Sequence, residues 1–159
     1  MSDRVYTYKN ISDYFIALSN DTENLITNLK MQKLIYYVQS WHLGIFGLPI
    51  FADDFEAWVH GPVIPALYRE YKHFSYNPII EDKPSADTIF NSFDESVQTV
   101  LNDVTEEYFG RTAYELEQLT HSEMPWMTAR NGISNRENSS QVISKSSMRD
   151  YYSSLLANS

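Results

Sequence analysis

Thr27-Asn-Leu-Lys-Met-Gln-Lys-Leu-Ile-Tyr-Tyr-Val-Gln-Ser-Trp-His-Leu-Gly-Ile-Phe-Gly47 decides the fold. Met31, Leu34, Ile35, Val38, Trp41, His42 and Ile45 recur at spacings of three and four, so they line one face of a helix over four turns. Thr27 or Asn28 can cap its start, and Gly47 followed by Pro49 is a conventional stop. A stripe this wide predicts a central helix, about residues 28–46, touched by several other elements.

Upstream, a helix is expected to start after Asn10, with Asp13 in its first turn and Ile11, Tyr14, Phe15 and Leu18 as its apolar side; Asn20 to Asn24 ends it. Downstream, Phe55, Ala57 and Val59 alternate with Glu56, Trp58 and His60, the period of a strand. Gly61-Pro62 should break that strand, and Pro65 suits the first position of a helix carrying Leu67, Tyr68 and Tyr71. Residues 75–87, with Pro78 and Pro84, read as an irregular crossing. Ser92 and Glu95 read as a capping box opening a helix over 93–108, with Val97, Val100, Leu101, Val104 and Tyr108 inward and Gly110 closing it. Thr112 with Glu115 repeats that logic for a short helix, and Pro125 starts another that carries Trp126. Residues 131–140 are polar and Gly-, Asn- and Ser-rich, the pattern of a mobile loop. Residues 141–143 form a short strand expected to pair with 55–59, and Ser144 caps a last helix with Met148, Tyr151, Tyr152 and Leu155 inward. The expected fold is mostly α, a single compact helical domain around the central helix with a small two-stranded β element at 55–59 and 141–143. That domain spans residues 1–159 with its core over 11–156, and no separate DNA-binding domain is expected.

The chain of 159 residues is 43% hydrophobic and 14% aromatic, which excludes a disordered protein. It has no cysteine, so disulfides and thiolate metal sites are excluded and a reducing compartment suits it. No apolar run approaches membrane-spanning length and the polar start is unlike a signal peptide, which predicts a cytoplasmic protein without a membrane partner. A net charge of −9 opposes direct contact with nucleic acid. The last helix could mimic part of a winged helix, but Ser144 to Ser159 offers only Lys145 and Arg149 as bases. Between Glu81 and Glu107 lie eight acidic residues and one lysine, Lys83; that is either a solvated helix face or a docking surface for a basic partner.

Three blocks stand out: residues 26–37 with Trp41-His42, the stretch 55–68, and Leu119-Thr-His-Ser-Glu-Met-Pro-Trp126. In this order and spacing they resemble the Panacea domain family of SocA-like antitoxins and phage-associated GepA-like proteins, over about Ile11 to Leu155. The matching residues are Leu29, Lys30, Lys33, Leu34, Tyr36 and Trp41; Glu56, Gly61, Pro62 and Pro65; and Thr120, His121, Glu123, Pro125 and Trp126. They read mainly as structural, and Met31 replaces a common leucine with little change in volume. The resemblance implies an interaction protein, not an enzyme: an antitoxin that binds and neutralises a toxin from a neighbouring gene. It also admits an adaptor that delivers a toxin to a AAA+ protease, or a phage or prophage inhibitor of host defence. The acidic balance favours a basic toxin; the oligomeric state is left open.

Lys30 and Lys33 could flank the core and pair with acids such as Glu56 or Glu123, or could contact a partner. Trp41 reads as core, whereas Trp58 and His60 fall on the polar side of the strand. Trp58, His60, Tyr68, Arg69 and Tyr71 are the candidate partner-binding residues, with Tyr76 extending the same surface. His121, Thr120 and Glu123 read as a polar bracket around Pro125. A metal-dependent hydrolase would need His121, His60 and Glu123 or Glu56 to converge, yet no ligand-spaced motif, nucleophile elbow or phosphate loop is present. No catalytic residue, metal or cofactor is expected.

Overall fold

The computed structural model describes residues 5–158. In chain order its elements are α1 (Tyr8–Thr22), α2 (Asn28–Phe46), β1 (Phe55–Trp58), β2 (Gly61–Val63), α3 (Pro65–Tyr71) with a 3₁₀ turn at Lys72–Phe74, α4 (Ala86–Phe90), α5 (Glu95–Tyr108), α6 (Ala113–His121), α7 (Met124–Arg130), β3 (Val142–Ile143) and α8 (Lys145–Ala157). The fold is mostly α, as expected, and α2 is its axis. Thr27 accepts from the Lys30 N–H at 3.3 Å, and Gly47, at φ +76°, returns its N–H to the Leu43 carbonyl.

The burial of α2 goes beyond an apolar stripe, because fourteen of its nineteen residues are buried, polar ones included. Four of its polar side chains, Asn28, Gln32, Gln39 and His42, meet backbone that no helix or strand satisfies. Gln39 donates to the Phe51 carbonyl and accepts from the Ile50 N–H, both at 2.8 Å. Gln32 accepts from the Ile64 N–H, and Asn28 donates to the Tyr68 carbonyl. His42 donates from Nδ1 to the Leu48 carbonyl, which leaves Nε2 to accept from the Ser96 hydroxyl. The same helix thus fills the core and anchors the segment after it and the hairpin. Its far end is different. α5 and α8 end beside Trp41 and Ile45, so Trp41 is half-buried rather than core and Ile45 is exposed.

The small sheet has three strands in the order β2-β1-β3, not two. β1 pairs with β3 as expected, Phe55 opposite Ile143 and Glu56 opposite Val142. Gly61-Pro62 does not end the strand region. Val59 and His60 make the turn, and β2 returns antiparallel with Ala57 opposite Pro62 and Trp58 opposite Gly61. Pro62 is tolerated because β2 is an edge strand, where a missing N–H breaks no ladder. Gly61 takes φ +106°, a backbone state that a side chain would strain.

Several boundaries also shift. α1 starts at Tyr8 rather than after Asn10, because Asn10 acts from inside the first turn and accepts from the Thr7 N–H at 2.8 Å. The crossing over 75–87 ends in α4, whose first N–H is held by Asp21 and whose N-cap is Ser85. The N-cap of α5, which begins at Glu95, is Asp94 rather than Ser92, whose hydroxyl donates back to the Ile89 carbonyl. The α5 core stripe is buried as expected, and the Thr112–Glu115 box caps α6. α8 lies along α2, with Met148 and Tyr152 inward, Tyr151 half-buried and Leu155 exposed at 37%. Gly44 permits that approach, since a Cβ there would lie 2.7 Å from Tyr152 Cβ and 3.0 Å from the Ser153 nitrogen.

Candidate partner-binding surface

The three blocks meet at the hairpin. Trp126 donates its indole N–H to the Trp58 carbonyl at 2.9 Å, and the His121 ring stacks on Trp126 at 3.9 Å. Gly61 sits against α2 and α6 so closely that a Cβ would come within 2.7 Å of Lys33 Cε and 3.0 Å of Thr120 Oγ1. Pro125 and Trp126 are buried at the start of α7, and Pro65 opens α3. Leu34 and Tyr36 are fully buried, and Leu29 is half-buried.

The lysines do not pair with Glu56 or Glu123. Lys30 donates to the Phe109 carbonyl at 2.6 Å and lies over the Phe109 ring. Lys33 is 1% exposed and its Nζ has no hydrogen-bond partner, so burial lowers its pKa to about 7. Glu56 instead accepts from the Trp58 indole at 2.9 Å. Glu123 accepts from the Tyr37 and Tyr152 hydroxyls at 2.8 and 2.9 Å, and burial raises its pKa. The bracket imagined around Pro125 is therefore built differently: Thr120 donates to the Glu117 carbonyl, and two tyrosines from α2 and α8 hold the carboxylate.

Arg130 carried no signal in the sequence, yet it is almost wholly buried. Its guanidinium lies over the Trp126 ring and donates to the Ala57 carbonyl at 2.8 Å, to the Ser134 carbonyl at 2.7 Å and to the Glu137 carbonyl. Residues 131–140 form a loop without helix or strand, and Arg130 ties it to β1.

Outside this scaffold, Trp58 is half-buried and meets Tyr68 edge-on at 5.1 Å. His60 is exposed and pairs with Glu117 at 2.9 Å; Arg69 is exposed beside Tyr68. Tyr76 is 89% exposed. Tyr71 does not belong to this surface. It follows Leu67 by one helical turn, so both face the core, and Tyr71 is fully buried with its hydroxyl toward Glu81. Two shallow depressions flank the Trp58–Tyr68 pair. One, of about 410 Å³, lies among Glu56, Trp58 and residues 138–140; the other, of about 270 Å³, is bordered by Leu29, His60, Tyr68, Lys72 and Tyr76.

His60, His121, Glu56 and Glu123 do not converge, since each faces a different partner. Among the described residues no three histidines or carboxylates are grouped as metal ligands, and no helix is long and apolar enough to cross a membrane.

The chain belongs to the family described as antitoxin SocA-like, Panacea domain, whose sequence model matches residues 31–127 and so takes in the hairpin and the motif residues around it. It is also similar to Antitoxin SocA of Caulobacter vibrioides (strain NA1000 / CB15N), 46% identical over 44 residues. That match covers 28% of this chain and 23% of the Caulobacter protein. No solved structure matches the chain.

Proposed function

We propose that this protein is a cytoplasmic antitoxin that neutralises, by direct binding, a toxin encoded by a neighbouring gene, and that one domain built on α2 carries the whole activity. The observation that carries the reading is the family match over residues 31–127, which takes in the hairpin and its supports. Those supports hold Trp58 and Tyr68 half-exposed, with His60 and Arg69 beside them, on a backbone that Trp126, Gly61 and Arg130 immobilise. Rigid aromatic anchors lose little side-chain entropy on binding, and such residues dominate interfaces that bury about 800 Å² per partner. The net charge of −9 speeds association with a basic toxin.

Co-expression with the adjacent small open reading frame tests this. The product should arrest growth alone and not in the presence of this protein; a product harmless alone, or still toxic in the mixture, overturns the proposal. Trp58→Ala with Arg69→Glu should restore toxicity while the protein remains folded. Partner abundance in the same cells separates sequestration, which leaves it high, from delivery to a AAA+ protease, which lowers it.

A further inference from the structure

We propose that the cleft where the C-terminal ends of α2, α5 and α8 meet receives an arginine side chain of the partner protein. The inference rests on the reading above that this chain works by binding a protein.

The cleft has a volume of about 420 Å³. Trp41, Ile45 and Leu156 give it apolar lining, and Asp103, Glu106, Glu107 and Tyr108 complete its border. Trp41 is fixed before any partner arrives: its indole N–H donates to the Tyr108 hydroxyl at 2.9 Å, and Tyr152 meets its ring edge-on at 5.0 Å. A ring locked in this way loses little freedom when a flat cation stacks on it.

The charge around that ring breaks the ordinary rule for helices. The C-terminal end of a helix is negative and usually carries Lys or Arg. None of α2, α5 and α8 has a basic residue in its last turn. α5 instead places three carboxylates in its last six residues, Asp103 one turn from both Glu106 and Glu107, where like charges repel. Arg111 answers one of them, with its Nη2 2.9 Å from Glu107. Asp103 and Glu106 form no ion pair among the described residues. Helix stability is thus spent on a negative field beside an apolar, aromatic lining, as happens at functional positions.

That combination selects the occupant. A divalent metal needs converging carboxylates, and no such group exists among the described residues. An ammonium holds its water strongly, which an indole ring does not replace. A guanidinium is planar and weakly hydrated, stacks on tryptophan and forms forked hydrogen bonds to carboxylates. The volume also admits the residues that flank the arginine.

The full chain, labelled with ¹⁵N, allows a direct test. Its tryptophan indoles donate to different groups: Trp41 to Tyr108, Trp58 to Glu56 and Trp126 to a backbone carbonyl. Titration with acetyl-Gly-Ser-Arg-Ser-Gly-amide should shift the Trp41 indole signal and leave that of Trp58 in place; the peptide with neutral citrulline for arginine should shift neither. Asp103→Lys with Glu106→Lys should abolish the shift and weaken binding of the co-expressed partner by about 10- to 100-fold. The same variant should melt no lower than wild type, because it places cations at a helix C-terminus. A merely structural role for these acids predicts the reverse. An unmoved Trp41 signal, equal shifts with citrulline, or unchanged partner affinity in the variant overturns the proposal. If wild-type protein neutralises nothing, the antitoxin reading fails, and the peptide titration still decides the cleft.

Discussion

Replacing Lys33 by methionine should remove a pH dependence that the wild-type protein carries between pH 7 and pH 9. The Lys33 amine is buried beneath Gly61 and beside Thr120, without a hydrogen-bond partner. Burial lowers its pKa from 10.5 to about 7, and the Glu117 carboxylate pulls weakly the other way. In the unfolded chain the amine keeps its proton up to about pH 10.4. Between these values unfolding takes up a proton, so stability rises with pH, by at most about 1.4 kcal/mol per unit. Half of the amine is charged at pH 7, so the rise to pH 9 sums to about 2 kcal/mol, or roughly 4–8 °C in melting temperature for a chain of this size. Above pH 9 another effect enters: burial raises the pKa of Tyr36, Tyr71 and Tyr108, and unfolded tyrosines ionise near pH 10, which lowers stability again. Lys33→Met keeps the length of the stem and lacks the amine. Calorimetric melts of both proteins at pH 7, 8 and 9 should show the variant the more stable at pH 7 and the gap closing by about 2 kcal/mol at pH 9. Parallel curves would refute the reasoning, because a solvated amine gives no such window.

Other substitutions probe the supports of the hairpin and the helix crossing. Gly44→Ala should cost about 1–3 kcal/mol in chemical denaturation, since the new methyl meets the Tyr152 Cβ and the Ser153 backbone. Glu123→Ala strands two buried tyrosine hydroxyls and should cost about 2–4 kcal/mol, whereas Glu123→Gln keeps an acceptor oxygen and should cost less. Because burial raises the Glu123 pKa, its contribution is full below pH 4.5 and falls as pH rises through the folded value, so Glu123→Gln should flatten the acid side of the stability profile. Arg130→Met frees the carbonyls of Ser134 and Glu137, and limited proteolysis should then cut within residues 131–140 faster than in wild type.

Much of the helical frame was legible because its signals are local. Thr27 and Gly47 bound α2, Thr112 with Glu115 opens α6, and Ser144 caps α8 through the Ser147 N–H. Alternation marked 55–59 as a strand, and the expected pairing with 141–143 is met at Phe55 and Glu56. What escaped depends on contacts between distant segments. Gln32 and Gln39 look like outward-facing polar positions of a helix, and only the loops that fold onto them make them core. Gly61-Pro62 has the composition of a breaker, but an edge position lets it act as a strand. Tyr68 and Tyr71 are alike in sequence; the roll of α3 sends one out and the other in. Of the candidate surface, Trp58, His60 and Arg69 lie outside the core, while Arg130, which holds β1 beneath them, had no signature near it.

α8 also sets the timing of folding. Tyr152 supplies the second hydroxyl to Glu123, the edge contact to Trp41 and the close approach to Gly44, so the aromatic side of α2 is only partly covered, by Phe55 and Tyr108, without it. Ribosomes add about 5–20 residues each second, and about a hundred residues separate the two helices. A nascent chain therefore carries α2 without its α8 contacts for about 5–20 s before α8 can dock. During that interval chaperones and proteases compete for it, and the supply of active protein depends on the chains that survive as much as on those begun.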